Sequence, residues 1–128
     1  MSKKVVQTEM APTAVGAYSQ AISTGELVFA SGQLPIDPAS GTILGGSIEQ
    51  HAYICLNNLR AIAEAAGGSL DNAIKTTIFL TDMNDFKAVN EVYATFFKTP
   101  YPARSTLQVA ALPLGVRIEI EAVFHIPT

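Results

Sequence analysis

Residues 101–126 read YPARSTLQVAALPLGVRIEIEAVFHI, and the second half of this stretch carries the clearest alternation in the chain. Val116, Ile118, Ile120, Ala122, Phe124 and Ile126 point one way, and Arg117, Glu119, Glu121, Val123 and His125 the other. A two-residue period of this kind is that of a strand buried on one face, so a covering layer is required. Upstream, Ser105–Val109 reads as the strand that partners it. Arg104 sits where a loop enters that strand, after Pro102 and Ala103, and Glu119 follows fifteen residues later among isoleucines. An arginine is a planar fork that grips a carboxylate or phosphate, and a carboxylate among apolar neighbours is a candidate acid or base with a shifted pKa.

Outward from this stretch the helical layer can be read directly. Ser47 and Gln50 form the S-x-x-Q capping-box pattern, and Ala52, Cys55, Leu56, Leu59, Ile62, Ala63 and Ala66 follow at helical spacing until Gly67-Gly68 ends the element. Ile74–Thr81 is rich in β-branched residues and reads as a strand. A second helix follows, with Asp82 or Asn84 as its cap, Phe86, Val89, Tyr93, Phe96 and Phe97 as its apolar stripe, Asn90 beside that stripe, and Pro100 as its limit. Nearer the N-terminus, Val5-Val6 opens a short strand and Ala11-Pro12 breaks it. Gly16–Ile22 is extended, Gly25 turns, and Leu27–Ala30 is a buried strand running into Ser31-Gly32-Gln33. The Pro35–Gly46 stretch, with its prolines and glycines, reads as loop. Strands that precede, separate and follow two helices predict an α+β sandwich with one helical layer, a single domain over residues 1–128.

The composition excludes several classes. Hydrophobic residues make up 48% of 128 positions, more apolar surface than one small core hides, which predicts a homo-oligomer. No apolar run approaches the roughly 20 residues of a spanning helix, so a soluble protein without a membrane partner is expected. The net charge is −3 and Lys3-Lys4 is the only adjacent basic pair, so no footprint for a nucleic acid is visible. Cys55 is the only cysteine, which rules out an intramolecular disulfide and a cysteine-based zinc site and fits a reducing cytosol. MSKKVVQTEMAP lacks the apolar core of a secretory signal. His51 and His125 lack the spacing of a metal pair, and the chain has no G-x-S-x-G elbow, Walker loop or G-x-G-x-x-G, so neither metal nor nucleotide is assigned.

Each candidate residue has a functional and a plain reading. Arg104 is either an anion clamp or one half of a surface or interface ion pair with Glu119 or Glu121. Glu119 is either a site carboxylate or part of a solvated strand face. Tyr18 presents its hydroxyl to a ligand or packs. Ser31-Gly32 permits close backbone approach to a ligand or forms a bulge or tight bend. Asn90, a poor helix former at mid-helix, has a task of its own or is an ordinary exposed side chain. Cys55 reads as inert core.

GAYSQA at 16–21, FASGQLPIDPASG at 29–41, TTIFLTDMNDFKAVNEVYATFF at 76–97 and YPARSTLQVAALPLGVRIEIEA at 101–122 together closely resemble the reactive intermediate deaminase family. That family is also called Rid, YjgF or translation-initiation-inhibitor-like, and P-A-R-S followed by I-E-I is its signature. The resemblance covers nearly the whole chain. It implies a chorismate-mutase-like α+β fold, with a mixed β-sheet packed by two main helices, and a homotrimer with clefts between adjacent subunits. It also implies hydrolysis of the enamine and imine products of amino-acid dehydratases, 2-aminoacrylate and related 2-imino acids, to 2-keto acids and ammonia, in the cytoplasm and without a cofactor. In the deaminase branch the residue matching Arg104 clamps the substrate carboxylate and the one matching Glu119 positions and activates water. Tyr18, Ser31 and Asn90 match further pocket residues, while Gly32 and the backbone around Thr106 fall where the family contacts substrate through the main chain. Many members have a cysteine where this chain has Thr106, a departure that bears on thiol-dependent regulation but not on the water-based mechanism. The KTPYP segment before the arginine is shorter than in several relatives, which alters the pocket rim. The alternatives implied by relatives are an endoribonuclease that blocks translation and a non-catalytic metabolite-binding trimer.

Overall fold

The computed structural model describes residues 2–128. Among the described residues eight strands and two α-helices follow in the order β1 Lys4–Val6, β2 Ala21–Thr24, β3 Leu27–Gln33, β4 Ile36–Asp37, β5 Thr42–Ile43, α1 Ile48–Ala65, β6 Ala73–Leu80, α2 Phe86–Phe96, β7 Ala103–Gln108 and β8 Ile118–His125. Six strands form one mixed sheet in the order β1-β2-β3-β8-β6-β7, and β4 and β5 make a small hairpin of their own. That hairpin lies inside the stretch expected to be loop, pairing Ile36 with Ile43, and the Asn58 side-chain amide of α1 donates to the Ile36 carbonyl at 3.0 Å.

The alternation of the last strand holds. Ile118, Ile120, Ala122 and Phe124 are buried beneath the helices, while Glu121 and His125 are exposed. Its expected pairing does not hold. β8 lies antiparallel between β3 and β6, and β7 pairs with β6 in parallel, from Lys75↔Ala103 to Leu80↔Gln108. The physical reason is the intervening helix: a strand that returns through a helical crossover lies parallel to the strand it left, so β6-α2-β7 forms one βαβ unit and β7 takes the sheet edge. β7 also begins one residue before Arg104, which places the arginine inside the strand rather than ahead of it.

The helices form as read, with one shift. α1 starts at the reciprocal Ser47/Gln50 capping box and ends where Gly67 adopts φ 93° and the Gly68 amide donates to the Ala63 carbonyl. Asp82 caps a short 3-10 turn, Met83–Asp85, ahead of α2, its carboxylate accepting from the Asn84 amide at 2.9 Å. Asp85, buried, grips Arg117 through two hydrogen bonds and so ties the start of α2 to the start of β8. Between sheet and helices, Leu56, Leu59, Ile62, Ile78, Leu80 and Phe124 are fully enclosed, each contributing about 1.5–3 kcal/mol of burial. The opposite face of the sheet has no cover in one chain: Phe29 is 48% and Leu107 40% exposed. Among the described residues no helix is long and apolar enough to cross a membrane.

Candidate functional site

Register decides where Arg104 points. Paired residues of a sheet share a face, and Arg104 pairs with the fully buried Thr76, so it projects toward α2. On that helix Phe86, Asn90 and Tyr93 stand at i, i+4 and i+7, one above the other along a single stripe. The Arg104 guanidinium donates through one terminal nitrogen to Asn90 Oδ1 at 2.7 Å. Its central carbon lies 4.8 Å from the Tyr93 ring centroid and 5.5 Å from that of Phe86. The Tyr93 hydroxyl bonds Thr76 Oγ1 at 2.7 Å, and burial pushes its pKa up against the smaller opposing effects of Thr76 and Arg104. Among the described residues no carboxylate of the same chain pairs with Arg104. A pocket of about 420 Å³ opens here, lined by Asn90, Tyr93, Ala94, Tyr101, Pro102 and Arg104.

Glu119 sits elsewhere. It pairs with Phe79, on the uncovered face of the sheet, where it is partly buried. The reason it can lie close to the sheet is Gly32: a Cβ on that residue would overlap the carboxylate and come within 2.8 Å of its carboxyl carbon. The ladder between β3 and β8 is irregular between Ala30 and Gln33, and this bulge aims Gly32 at Glu119. Ser31 pins the bulge, its hydroxyl donating to the Ser19 carbonyl at 2.6 Å and its amide to the Gln20 carbonyl at 2.9 Å. The structure shows the bulge, and the close approach that Gly32 permits is to the Glu119 carboxylate of the same chain. Burial, and secondarily the neighbouring Glu121, raises the pKa of Glu119 above the ordinary carboxylate range. Tyr18, 55% exposed, lies beyond the bulge next to Ser19, its hydroxyl accepting from the Val15 amide at 3.3 Å.

Arg104 and Glu119 thus occupy opposite faces of one sheet. Arg104 aligns with Thr76 and Glu119 with Phe79, three residues apart on β6, and an odd separation along a strand reverses the side chain. Thr106 aligns with Ile78 and shares the Arg104 face, and its buried Oγ1 has no hydrogen-bond partner. One chain therefore holds two separate groups, a guanidinium with Asn90 on the helix side and a carboxylate over Gly32 on the open side. The reading of Arg104 and Glu119 as two poles of one site requires the open face of one copy to meet the Arg104 pocket of another.

Tyr93 and Thr76 also neighbour Arg104, although the sequence presents them only as part of an apolar stripe and of a strand; the signal for Tyr93 is the i, i+4, i+7 spacing of Phe86, Asn90 and Tyr93, which sets a polar residue between two aromatic ones. Cys55 is fully buried in α1, and burial holds its thiol well above the usual pKa. The two histidines are apart: His51 Nε2 bonds the Leu44 carbonyl at 2.9 Å and His125 Nε2 the Glu26 carboxylate at 2.8 Å. A larger groove of about 610 Å³ runs between α1 and α2 past Gln50, Tyr53, Ile54, Ala88, Glu91 and Val92.

A family model described as Endoribonuclease L-PSP matches residues 8–126. The RutC family protein y4sK of Sinorhizobium fredii is 54% identical over 121 residues, 94% of this chain and 96% of the relative. The 2-iminobutanoate/2-iminopropanoate deaminase of Mus musculus is 48% identical over 121 residues, 94% of this chain and 90% of the relative. Among solved structures, E. coli TdcF with bound serine superposes with a TM-score of 0.90 at 43% identity, covering 95% of this chain and 98% of that one.

Proposed function

This chain belongs to the endoribonuclease L-PSP family, the YjgF/Rid family its sequence resembles, and on that premise we propose that it hydrolyses reactive 2-imino acids and their enamine tautomers. The products are the 2-keto acid and ammonia. The observation that carries this reading is the Arg104 guanidinium, held by Asn90 and two rings at the wall of a pocket with its remaining N–H groups unpartnered among the described residues. Such a fork takes a carboxylate by charge-assisted hydrogen bonds and converts a random encounter into an oriented one. The names of the mouse deaminase and of the serine-bound structure favour a small amino-acid-derived ligand.

In this reading the open sheet face is covered by a second copy in a homotrimer, and Glu119 of one subunit faces Arg104 of the next. The enamine tautomerises to the imine, whose carbon is electrophilic. Glu119 takes a proton from water as the oxygen bonds to that carbon, and passes it to the nitrogen that receives the C=N electron pair, giving a neutral carbinolamine. It then takes the hydroxyl proton as the carbonyl forms and hands it to the nitrogen as the carbon–nitrogen bond breaks, leaving the 2-keto acid and free ammonia. A carboxylate whose pKa is raised by burial is suited to both halves of this exchange, and general acid–base help of this kind is worth about 10²–10⁴-fold.

The test is ammonia release from an imine generated freshly by a dehydratase. Arg104→Ala is expected to abolish the acceleration with the oligomer intact, and full release by that variant would sink the proposal. Glu119→Gln is expected to bind a keto acid and turn over slowly; undiminished turnover would point instead to a metabolite-binding role. The family description favours RNA cleavage as a second reading, against which stands the net charge of −3 and the lack of basic clusters. Incubation with single-stranded RNA, beside the same two variants, separates the two.

A further inference from the structure

Arg104 is held by a closed circuit of three residues. Thr76 is its direct neighbour across the β6–β7 ladder, the Thr76 hydroxyl bonds the Tyr93 hydroxyl at 2.7 Å, and the Tyr93 ring returns to the guanidinium at 4.8 Å. Both hydroxyl-bearing residues are buried, Thr76 completely and Tyr93 to all but 4%. They lie in a layer otherwise filled by Ile78, Leu80, Val89 and Phe97. A valine and a phenylalanine would fill the same volume without the cost of desolvating two hydroxyls, so the pair contributes something packing does not. What it contributes is orientation. A phenyl ring is free to tilt about its χ angles within the space available; a phenol tethered at its tip is not. The neighbouring Phe97 ring, 4.5 Å away and tilted by 34°, confines it further.

A guanidinium is useful for bidentate recognition only when its plane is fixed, and a long side chain on an edge strand has many rotamers. Asn90 fixes one terminal nitrogen, and a single hydrogen bond still leaves rotation about it. The Tyr93 ring under the guanidinium carbon restricts that freedom, and cation–π attraction strengthens as the pair is withdrawn from water. We propose that Tyr93, locked by its hydroxyl bond to Thr76, is a positioning residue that sets the plane of the Arg104 guanidinium for carboxylate binding. The proposal rests on Arg104 as the anion-binding group of the reading above, but its test does not require turnover.

Two readouts on the full-length protein decide it. The first is the ¹⁵N resonance of the Arg104 Nε–Hε group, identified by its loss in Arg104→Ala, whose exchange and line shape report whether the guanidinium is held. The second is calorimetric titration with pyruvate as the 2-keto acid probe. Tyr93→Leu is expected to collapse the Arg104 signal to that of a free arginine and to weaken pyruvate binding about 2- to 30-fold, the range of a cation–π contact. Tyr93→Phe and Thr76→Val remove the same hydroxyl bond, so each is expected to give the same smaller loosening, and the double variant no more than either alone. A purely structural role predicts the opposite, a lowered melting temperature with the arginine signal unchanged.

Retention of the Arg104 signal in Tyr93→Leu, or losses in the double variant that add, would overturn the proposal. If Tyr93→Leu does not fold, the conservative pair and its double variant still decide. Should the wild type fail to hydrolyse imines while these patterns hold, the proposed reaction falls and the positioning role stands. Should it hydrolyse them with Tyr93→Leu at wild-type affinity and arginine order, only the positioning role falls.

Discussion

Glu119 and Gly32 are one feature seen from two strands. The carboxylate lies against the sheet because the residue beneath it has no side chain, and close approach is also what raises its pKa through desolvation. Gly32→Ala places a methyl where the carboxylate now is, at a backbone position that tolerates alanine, so the expected outcome is a folded protein with turnover reduced about 10²-fold or more. Circular dichroism beside the ammonia-release assay checks this. The same desolvation has a signature in stability. A carboxylate whose folded-state pKa lies above its ordinary 4.5 binds protons more tightly when folded, so stability falls as pH rises from 4.5 through the raised value and does not return above it. In an Arg104→Ala background, where no guanidinium of a second copy offsets this, adding Glu119→Gln is expected to flatten the decline. Urea midpoints of the two variants from pH 4.5 to neutrality measure it, and parallel slopes would remove the desolvation argument.

At the scale of elements, the placement of α2 depends on its ends more than on its stripe. No side chain caps its first turn; instead Asp85 hydrogen-bonds twice to Arg117, across to the start of β8. Asp85→Ala leaves the Arg117 fork without its partner and is expected to cost about 1.5–3 kcal/mol, read as a lower denaturation midpoint at unchanged slope. Phe86 follows Asp85 directly, so loosening this joint also loosens the ring nearest the first turn beneath Arg104. The elements were the most legible part of the fold. The capping box of α1, its glycine stop and the alternation of β8 are local signals, each decided within a few residues of itself. β4 and β5, two residues each, are too short to show a period. The pairing of β7 departs from the sequence expectation because nearness in sequence to β8 says nothing about which edge a crossover helix delivers its strand to.

At the scale of the molecule, the open sheet face and the split site make a joint prediction. If Arg104 of one copy must meet Glu119 of another, Arg104→Ala and Glu119→Gln are each inactive, yet subunits mixed by denaturation and refolding recover activity. Random assembly of equal amounts restores about one cleft in four, because each working cleft draws an intact arginine from one variant and an intact glutamate from the other. A mixture as inactive as its components would show that the two residues do not share a cleft. Local periodicity and short motifs settle the two helices, the longer strands, the buried face of β8 and the family, and mark out Arg104 and Glu119. Tertiary structure alone shows that those two residues lie on opposite faces, that Gly32 makes room for Glu119, and that Asn90, Phe86 and Tyr93 surround Arg104. Those facts depend on register between strands far apart in the chain, and a shift of one residue in register, invisible to any local pattern, would reverse each of them.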